Sequence, residues 1–518
     1  MKNSEELRQQ LRSINRKSYP AYKGLKGLYH FGNYILSIDH VQGDPFASPS
    51  HVSIQISHRD AGFPVEYYKD TLTGTTLCDY LTRQFEKQVS QYSFRAKGSG
   101  KSGLLTVSHC GQEILSRTAC EITEKGITAR FFVGFPANGR TINATELEKI
   151  LFDFLPVCIQ KSFFYSSLNA KELQNYIELA EDQEFIRQTL PAKNLCAFIA
   201  DGSILPRESG ISSRPMKASV PFTSPDSLRI SINLPHKGKI TGMGIPKGIT
   251  LIVGGGYHGK STLLNALELG VYNHIPGDGR EYVITDATAV KLRSEDGRFI
   301  KDVDISMFIN DLPNKKDTRC FSTLDASGST SQAAGIAESM EAGSHLFLLD
   351  EDTSATNFMV RDAFMQQVIQ REKEPITPFL ERAEDLYKKA GISTILVAGS
   401  SGAFFHIADT IIQMDNYVPK DITASVKKLC SQYPLPAVSV TDFQLPHSHR
   451  IMSRPAESSK RLRHNSRGNH SDSGATKPER LKTRISGTDG FSLGRQEIDL
   501  RYTEQPVSYT HLRAHETD

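Results

Sequence analysis

The stretch "GITLIVGGGYHGKSTLL", residues 248–264, decides the fold. It has the pattern of an apolar strand, a glycine-rich loop and the first turns of a helix. Residues 254–261 match G-x-x-x-x-G-K-[ST] at every fixed position. In such a loop the glycines let successive backbone N–H groups converge on phosphate oxygens, and the helix that follows directs the positive end of its dipole at them. The stretch therefore predicts a P-loop that binds a nucleotide.

We expect the nucleotide to be ATP, bound together with Mg²⁺. The Lys260 ammonium group is expected to reach the β- and γ-phosphates, and the Ser261 hydroxyl to ligate Mg²⁺. A glycine-rich turn without a ligand is the structural alternative, but the flanking strand and helix favour the P-loop. The residues predicted to contact the nucleotide here are Gly254, Gly255, Gly256, Tyr257, His258, Gly259, Lys260, Ser261 and Thr262.

A second glycine- and lysine-containing run, "KGSGKSG" at residues 97–103, fails the same test. Arg95 stands where the first glycine should be. The strand-like run "LLTVS" follows instead of a helix. We therefore predict a turn at this position rather than a second phosphate loop.

An apolar run that ends in two acids, "LFLLDEDTSATN" at residues 346–357, supplies the second half of the site. In a P-loop ATPase, Asp350 would hold Mg²⁺ directly or through water. Glu351 would polarise the attacking water as the general base. Two adjacent acids at a strand end are also compatible with plain solvent-facing charge, but the P-loop upstream favours the catalytic interpretation.

The composition excludes several classes of protein. Of the 518 residues 38% are hydrophobic and 23% are charged, and the net charge is +3. Residues 1–19 contain no apolar segment, so we expect no signal peptide. No apolar run reaches the ~18–20 residues that span a bilayer. Seven scattered cysteines without a C-x-x-C pair argue against a disulfide framework and a zinc site, and favour a cytoplasmic location.

The order of predicted elements indicates several domains. Short strands and helices alternate irregularly at the start of the chain, which predicts an α+β domain. Between residues 254 and 415 strands alternate with helices, which predicts an α/β layer with a mainly parallel sheet flanked by helices. We therefore expect an N-terminal domain at 1–160, an ATPase domain at 161–438, a basic and disordered linker at 439–484, the start of a small, truncated C-terminal domain at 485–505, and an artefact at 506–518.

The last three of these expectations concern the end of the sequence. Residues 450–484 carry ten Lys or Arg against three Asp or Glu and almost no aliphatic side chains, which is typical of a disordered linker. The run "GFSLGRQEIDLRY" after it has the pattern of ordered structure again. A reverse translation of the final stretch "SYTHLRAHETD" resembles a transposon-library sequencing adaptor, so we interpret 506–518 as an assembly artefact.

Two motifs resemble those of the ATP-binding-cassette (ABC) ATPases. "DEDTSATN" resembles DEPTSALD, the Walker B end and D-loop, although Asp352, Thr356 and Asn357 depart from it. Upstream, "ASGST" resembles the signature LSGGQ, and Ser327 precedes Asp350 by 23 residues. A solvated helix-capping loop is the alternative for this run. The resemblance implies a head-to-tail homodimer in which the signature of one protomer contacts the nucleotide of the other, through Ser327, Gly328, Ser329 and Thr330.

The sequence also departs from the ABC pattern. Gly399 to Gly402 stand where the switch histidine should follow the strand "STILVA", and we interpret His406 as an ordinary helix residue. No Q-loop glutamine is present, although Ser306 and Asn310 are polar substitutes in its place. Only 67 residues separate Lys260 from Ser327. These departures predict slow or differently timed hydrolysis and a reduced helical subdomain.

A narrower resemblance covers nearly the whole chain. Its motifs are "VQGDPFASPS", "ADGSILPRESG", "RPMKASVPF", "DASGSTSQAAGIAE" and "LLDEDTSATNFMVRD", together with the P-loop stretch. They resemble the family of predicted ATPases of the ABC class. This resemblance implies an N-terminal domain, a P-loop NTPase domain of ABC type, a small C-terminal domain, ATP binding and a dimer. It does not define a cellular role.

Several uses of ATP remain open from the sequence. A nucleic-acid-associated ATPase, for example one acting on RNA, is supported by the basic 450–484 segment, although no RNA-recognition motif or base-stacking aromatic residue is present there. An ATP-gated assembly factor or structural switch is favoured by the missing histidine. The ATPase subunit of a transporter is disfavoured by the short interval before the signature. A small-molecule kinase would leave the signature-like loop unexplained.

Overall fold

A computed structural model describes residues 1–361, 374–399, 401–433 and 443–446. The expected basic linker, apart from residues 443–446, lies outside the described residues. The expected C-terminal domain at 485–505 and the expected artefact at 506–518 also lie outside them.

The N-terminal part combines a mixed sheet with helices. Its strands are β1 (Lys2–Asn3), β2 (Gly27–His30), β3 (Ile35–His40), β4 (Ser50–Ile56), β5 (Leu105–Thr106), β6 (Glu113–Ile114), β7 (Cys120–Thr123), β8 (Gly126–Val133), β9 (Ala137–Asn138) and β10 (Thr141–Ile142). Its α-helices are α1 (Ser4–Ser13), α2 (His58–Ala61), α3 (Thr71–Ser90), α4 (Ala144–Glu148), α5 (Leu155–Phe163) and α6 (Ala170–Ala192). The main sheet has the order β1-β2-β3-β4-β8-β5, and β7 pairs with β8. The expected α+β domain is confirmed.

Helix α3 organises the core of this domain. It begins after Asp70, whose side chain accepts a hydrogen bond from the Thr73 amide at 2.8 Å. This cap satisfies one of the amides that a helix N-terminus leaves without a partner. Leu77, Leu81 and Phe85 recur at every fourth position and are fully buried, so one face of the helix joins the N-terminal hydrophobic core.

The N-terminal part is joined to the rest of the chain by α6 and by a short strand pair. Gln183 on α6 makes two hydrogen bonds with the backbone of His274, at 2.9 and 3.1 Å. Strand β15 (Asn273–His274) pairs with β6 of the N-terminal part. Both contacts lie beyond the C-terminal end of the helix that follows the P-loop, so this helix is linked to the N-terminal part through buried backbone bonds.

The second part of the chain contains the predicted α/β layer. Its other strands are β11 (Leu195–Ala200), β12 (Arg229–Leu234), β13 (Gly238–Pro246), β14 (Ile249–Val253), β16 (Val283–Thr285), β17 (Val290–Leu292), β18 (Arg298–Val303), β19 (Phe321–Ala326), β20 (Leu346–Asp350), β21 (Ser393–Val397), β22 (Thr410–Asp415) and β23 (Val418–Asp421). Its described α-helices are α7 (Lys260–Leu269), α8 (Gly328–Glu341), α9 (Thr356–Met359), α10 (Phe379–Ala390), α11 (Phe404–Ile407) and α12 (Thr423–Cys430).

The central sheet has the order β17-β20-β21-β14-β22-β23. Neighbouring strands from β17 to β22 run parallel, and only β23 is antiparallel. The mainly parallel sheet is therefore confirmed. Strand β21 lies between β14, which leads into the P-loop, and β20, which ends in the acidic pair. The carboxyl ends of these three strands consequently meet at one edge of the sheet.

Both faces of this sheet are covered. Leu251 and Phe347 belong to one hydrophobic core together with residues of α8 and α10. Their chain neighbours Ile252 and Leu348 belong to a second core together with α7. Successive side chains of a strand point to opposite faces, so strands buried on both sides are continuously apolar. This explains the unbroken apolar runs "ITLIV" and "LFLL" in the sequence.

Two smaller β structures flank the central sheet. An antiparallel sheet has the order β12-β13-β11-β16, and β18 pairs with β19. Every residue from 270 to 327 is described, and within this interval the chain forms strands and turns but no helix. The reduced helical subdomain expected from the short interval between Lys260 and Ser327 agrees with this arrangement.

Candidate functional site

The phosphate loop connects the carboxyl end of β14 to α7. Gly254 has a φ of +143°, and a Cβ atom there would lie too close to the carbonyl oxygen of Met414 on β22. Only glycine fits this backbone without displacement. Strand β22 thus fixes the point at which the chain leaves the sheet. This point lies at the carboxyl edge, where ligands of open α/β sheets bind.

The turn between β22 and β23 holds the middle of the loop. The Asn416 amide donates to His258 Nδ1 at 2.9 Å, and the Tyr417 amide donates to the His258 carbonyl at 3.2 Å. Gly259 has a φ of +96° and packs against the Tyr417 ring. His258 therefore has a structural role in addition to its predicted contact with the nucleotide. Tyr257, by contrast, is 99% exposed.

Lys260 is the first residue of α7 and lies over the loop. Its Nζ donates to the carbonyl oxygens of Gly254 and Gly255, at 2.7 and 2.9 Å. The Lys260 ammonium group lies beside the backbone amides of the loop at a helix N-terminus. Together these groups form the set of donors that a triphosphate requires. Ser261 and Thr262 follow in the first turn of α7. The residues present fit ATP.

The acidic pair lies at the carboxyl end of β20, as the sequence predicts. Asp350 is only 8% exposed. Burial raises its pKa, with a further increase from the Asp352 carboxylate, while the Asp352 amide and the cations Lys291 and Lys260 oppose the increase. Glu351 Oε2 accepts a hydrogen bond from the Gly399 amide at 2.7 Å. A buried carboxylate within electrostatic range of Lys260 suits a cation bound beside the phosphates.

Lys291 belongs to this site, although the sequence analysis missed it. It lies on β17, opposite Leu348 of β20. Its Nζ donates to Glu268 at 2.8 Å and to Asn265 at 3.1 Å, both on α7. It therefore connects the helix after the P-loop to the edge of the sheet. Nothing local in the sequence marks it, because its role depends on which strand pairs with β20.

The signature-like loop precedes α8. Ser327 caps this helix, and its hydroxyl lies 2.9 Å from the hydroxyl of Thr330. A Cβ atom on Gly328 would clash with Ser294 Oγ and contact Ala355 of the D-loop. Ser327 itself is exposed. The loop is thus backed by its own protomer at Gly328 and presents hydroxyl groups to solvent.

Gln332 is a second residue that the sequence analysis did not identify. It is fully buried on α8. Its Nε2 donates to Ser354 Oγ at 3.0 Å, and its Oε1 accepts from the Ala355 amide at 3.0 Å. Ser354 Oγ in turn donates to the Asp350 carbonyl at 2.8 Å. The signature helix and the acidic strand are therefore connected by a chain of hydrogen bonds.

The residues that replace the switch histidine and the Q-loop glutamine have local partners. Gly399 binds Glu351 through its amide, while His406 lies in the short helix α11, as expected. Ser306 Oγ donates to Asp304 at 2.6 Å, and Asn310 Nδ2 donates to the Ser306 carbonyl at 2.6 Å. These contacts place Ser306 and Asn310 in a turn. The prediction that they replace a phosphate sensor remains a prediction.

Other predictions concern regions away from this site. Residues 97–103 form turns and no helix follows them, so the second glycine- and lysine-containing run is confirmed as a turn. All seven cysteines are free. In the described part of the chain no helix is long and apolar enough to cross a membrane. The basic 450–484 segment, on which the nucleic-acid hypothesis depends, lies outside the described residues.

The described site defines a class of protein. A phosphate loop follows the central strand β14, and two adjacent acids follow the parallel strand β20, with β21 between the two strands. This arrangement is that of a P-loop nucleoside triphosphatase.

A family model for the P-loop domain of ABC ATPases matches residues 169–448. A second model, for the N-terminal part of ATPases of the ABC class, matches residues 4–166. The chain belongs to the ATPases of the ABC class, as its motifs predicted.

Individual relatives add little beyond the family. The uncharacterized protein MJ1628 of Methanocaldococcus jannaschii is 31% identical over 266 residues, which are 49% of this chain and 58% of that protein. The ATP-binding cassette MJ1267 of an ABC transporter, in its ADP conformation, is 13% identical, with 38% of this chain and 88% of that chain covered and a TM-score of 0.25. An Atm1-family ABC exporter with ATP bound is 14% identical, with coverage of 48% and 43% and a TM-score of 0.26. Scores this low carry no argument about function.

The close approach of Gly254 to Met414 leads to a prediction about ATP affinity, for which a second glycine serves as the control. Gly254→Ala should lower ATP affinity by about tenfold or more, because the loop must move away from β22 and loses its positive φ. Gly74→Ala, in α3 of the N-terminal part, should bind ATP as the wild type does, because a Cβ atom there meets nothing within 4 Å and the residue lies outside the loop. Isothermal titration calorimetry on both variants measures the difference. Equal affinities would contradict the role assigned to this contact.

Proposed function

We propose that the protein binds ATP with Mg²⁺ and hydrolyses it in a head-to-tail homodimer, and that this cycle drives a conformational switch. The observation that carries the proposal is the meeting of Lys260 and the acidic pair at one edge of the central sheet. Phosphoryl transfer needs positioned phosphates and a positioned water more than it needs covalent chemistry. The described residues supply groups for both tasks.

Asp350 and Glu351 would have different roles in hydrolysis. Asp350, with the Ser261 hydroxyl, would hold Mg²⁺, which neutralises charge on the phosphates when bound. Such a site needs few protein ligands because Mg²⁺ keeps waters and phosphate oxygens in its shell. Glu351 would accept a proton from the attacking water as general base. Its hydrogen bond from the Gly399 amide fixes the position of one carboxylate oxygen.

The signature-like loop supports the dimer. Gly328 lies against Ser294 and the D-loop residue Ala355, while Ser327 is exposed and its hydroxyl lies beside that of Thr330. A loop of hydroxyl groups at the N-terminus of α8 suits a phosphate that is brought by another molecule. A two-fold symmetric pair would present this loop to the partner's P-loop twice. The hydrogen bonds of Gln332 would then transmit closure of the dimer to the strand that ends in Asp350.

The conformational switch would act either on a nucleic acid or on a protein partner. The nucleic-acid possibility depends on the charge of the 450–484 segment, which would give strongly salt-dependent binding. The assembly-factor alternative depends on hydrolysis slowed by the absence of a histidine beside Gly399. Measuring the ATPase rate with and without RNA and DNA separates the two, because only the first predicts stimulation.

Lys260→Ala tests nucleotide binding. Removing a charged hydrogen-bond donor to phosphate should weaken ATP binding by about 30-fold or more. Lys388→Ala serves as a control, because that exposed cation lies on α10 rather than in the loop and pairs with Glu384 of the same helix. Both affinities are measured by calorimetry with Mg²⁺ present. Wild-type affinity in Lys260→Ala would show that the nucleotide binds elsewhere.

Glu351→Gln tests hydrolysis and dimerisation together. The amide cannot act as a base, so turnover should fall by about 100-fold or more while ATP still binds. The uncleaved nucleotide should then hold two protomers together, and sedimentation velocity with ATP should detect a dimer. Asp352→Asn, one residue further on, is the matched control and should keep turnover. A Glu351→Gln protein that remains monomeric with saturating ATP would contradict the head-to-tail site.

A further inference from the structure

We propose that the base of the bound nucleotide packs on the apolar side chains of residues 205–222, here called the cavity loop, in a cavity between this loop and α7. The cavity has a volume of about 1000 Å³. This assignment rests on the proposed function, because it concerns the half of ATP that the P-loop does not hold. It gives a role to the stretches at 200–210 and 214–222, which the phosphate site leaves unexplained.

The position of the cavity follows from α7. Gly259 and Thr262, at the phosphate end of this helix, line it, and so do Asn265 and Glu268 further along the helix. Neighbouring positions three residues apart lie side by side, so these residues form an oblique stripe along the helix that begins at its N-terminus. A nucleotide whose phosphates lie at the N-terminus of α7 extends from there directly into the cavity. The phosphate site and the cavity are thus parts of one continuous space.

The lining suits a flat apolar base. The cavity loop contributes Ile211, which is fully exposed, together with Met216 and Val220, which are 38% and 49% exposed. Tyr417 contributes a half-exposed ring from the β22–β23 turn. Exposed apolar side chains that converge on one cavity mark a ligand site more often than a bare surface.

Buried charged side chains hold the beginning of the cavity loop in place. Arg207 donates to the carbonyl and to the carboxylate of Asp278, at 2.8 and 2.9 Å. Arg280 Nε donates to the Leu205 carbonyl at 2.8 Å. Burial acts to raise the pKa of Asp278, but hydrogen bonds from His274 and the charge of Arg207 outweigh burial and hold this pKa below its ordinary value. The Asp278 side chain is therefore a charged anchor at neutral pH.

The rest of the loop is preformed and accessible. The Glu208 amide donates to the Arg214 carbonyl at 3.0 Å, and the Met216 amide donates to the Pro206 carbonyl at 3.0 Å. At the far end, the Phe222 amide donates to the Ser203 carbonyl at 2.9 Å. These hydrogen bonds hold the loop at both ends. Because the loop is already ordered, it loses little conformational entropy when a base covers its apolar side chains.

The test compares a ligand that has a base with one that has none. In the variant Ile211→Ser/Met216→Ser both changed side chains are exposed, so the fold should persist, and serine adds no charge that would repel phosphate. We expect this variant to bind ATP about tenfold more weakly and to bind inorganic tripolyphosphate as the wild type does. The matched control is Leu324→Ser, at a position on β19 that is 72% exposed and lies outside the cavity lining. Calorimetry measures all affinities.

The outcomes separate this inference from the proposed function. If the double variant keeps wild-type ATP affinity, or loses affinity for ATP and tripolyphosphate equally, the nucleoside does not occupy the cavity. If the wild-type protein binds tripolyphosphate as tightly as ATP, the nucleoside makes no useful contact, and the inference falls while the phosphate site stands. If the wild-type protein binds neither ligand, the proposed function itself is wrong.

Discussion

The parallel pairing of β14, β21 and β20 is the constraint on which the site depends. It brings the phosphate loop and the acidic pair to one edge of a sheet whose two faces are both buried. A register shift of one residue in β20 would exchange the side chains of Leu348 and Leu349 between two different cores. Packing on both sides thus fixes the height at which Asp350 leaves the sheet, and so fixes its distance from the loop.

The loop has supports of its own beyond the sheet. Gly254 lies against the backbone of β22, and His258 is bonded to the turn that follows this strand. The cavity loop is held by Asp278, and β15 joins the same region to the N-terminal part. The region around the phosphate loop is therefore held by the central sheet, by the β22–β23 turn and, through β15, by the N-terminal part.

The sequence predicted the elements whose information is local. The P-loop, the acidic strand end, the α/β layer and the family all follow from short motifs and from hydrophobic periodicity. Gln332 and Lys291 were not predicted, because their roles depend on contacts between residues far apart in the chain. The cavity loop was marked only by the family motifs at 200–210 and 214–222, which do not indicate a function. Its function depends on α7 lying opposite it, which only the three-dimensional arrangement reveals.

The central claim is that one ATP site is shared between two protomers. Mixing Lys260→Ala protein with Ser327→Phe protein tests it most directly, because each variant alone lacks one half of every site. Ser327 is exposed, so a bulky side chain there should not disturb its own protomer. The account predicts that each variant alone is inactive and that the mixture regains part of the wild-type ATPase rate through heterodimers with one intact site. Full activity of Ser327→Phe alone, or a mixture as inactive as its components, would contradict the shared site.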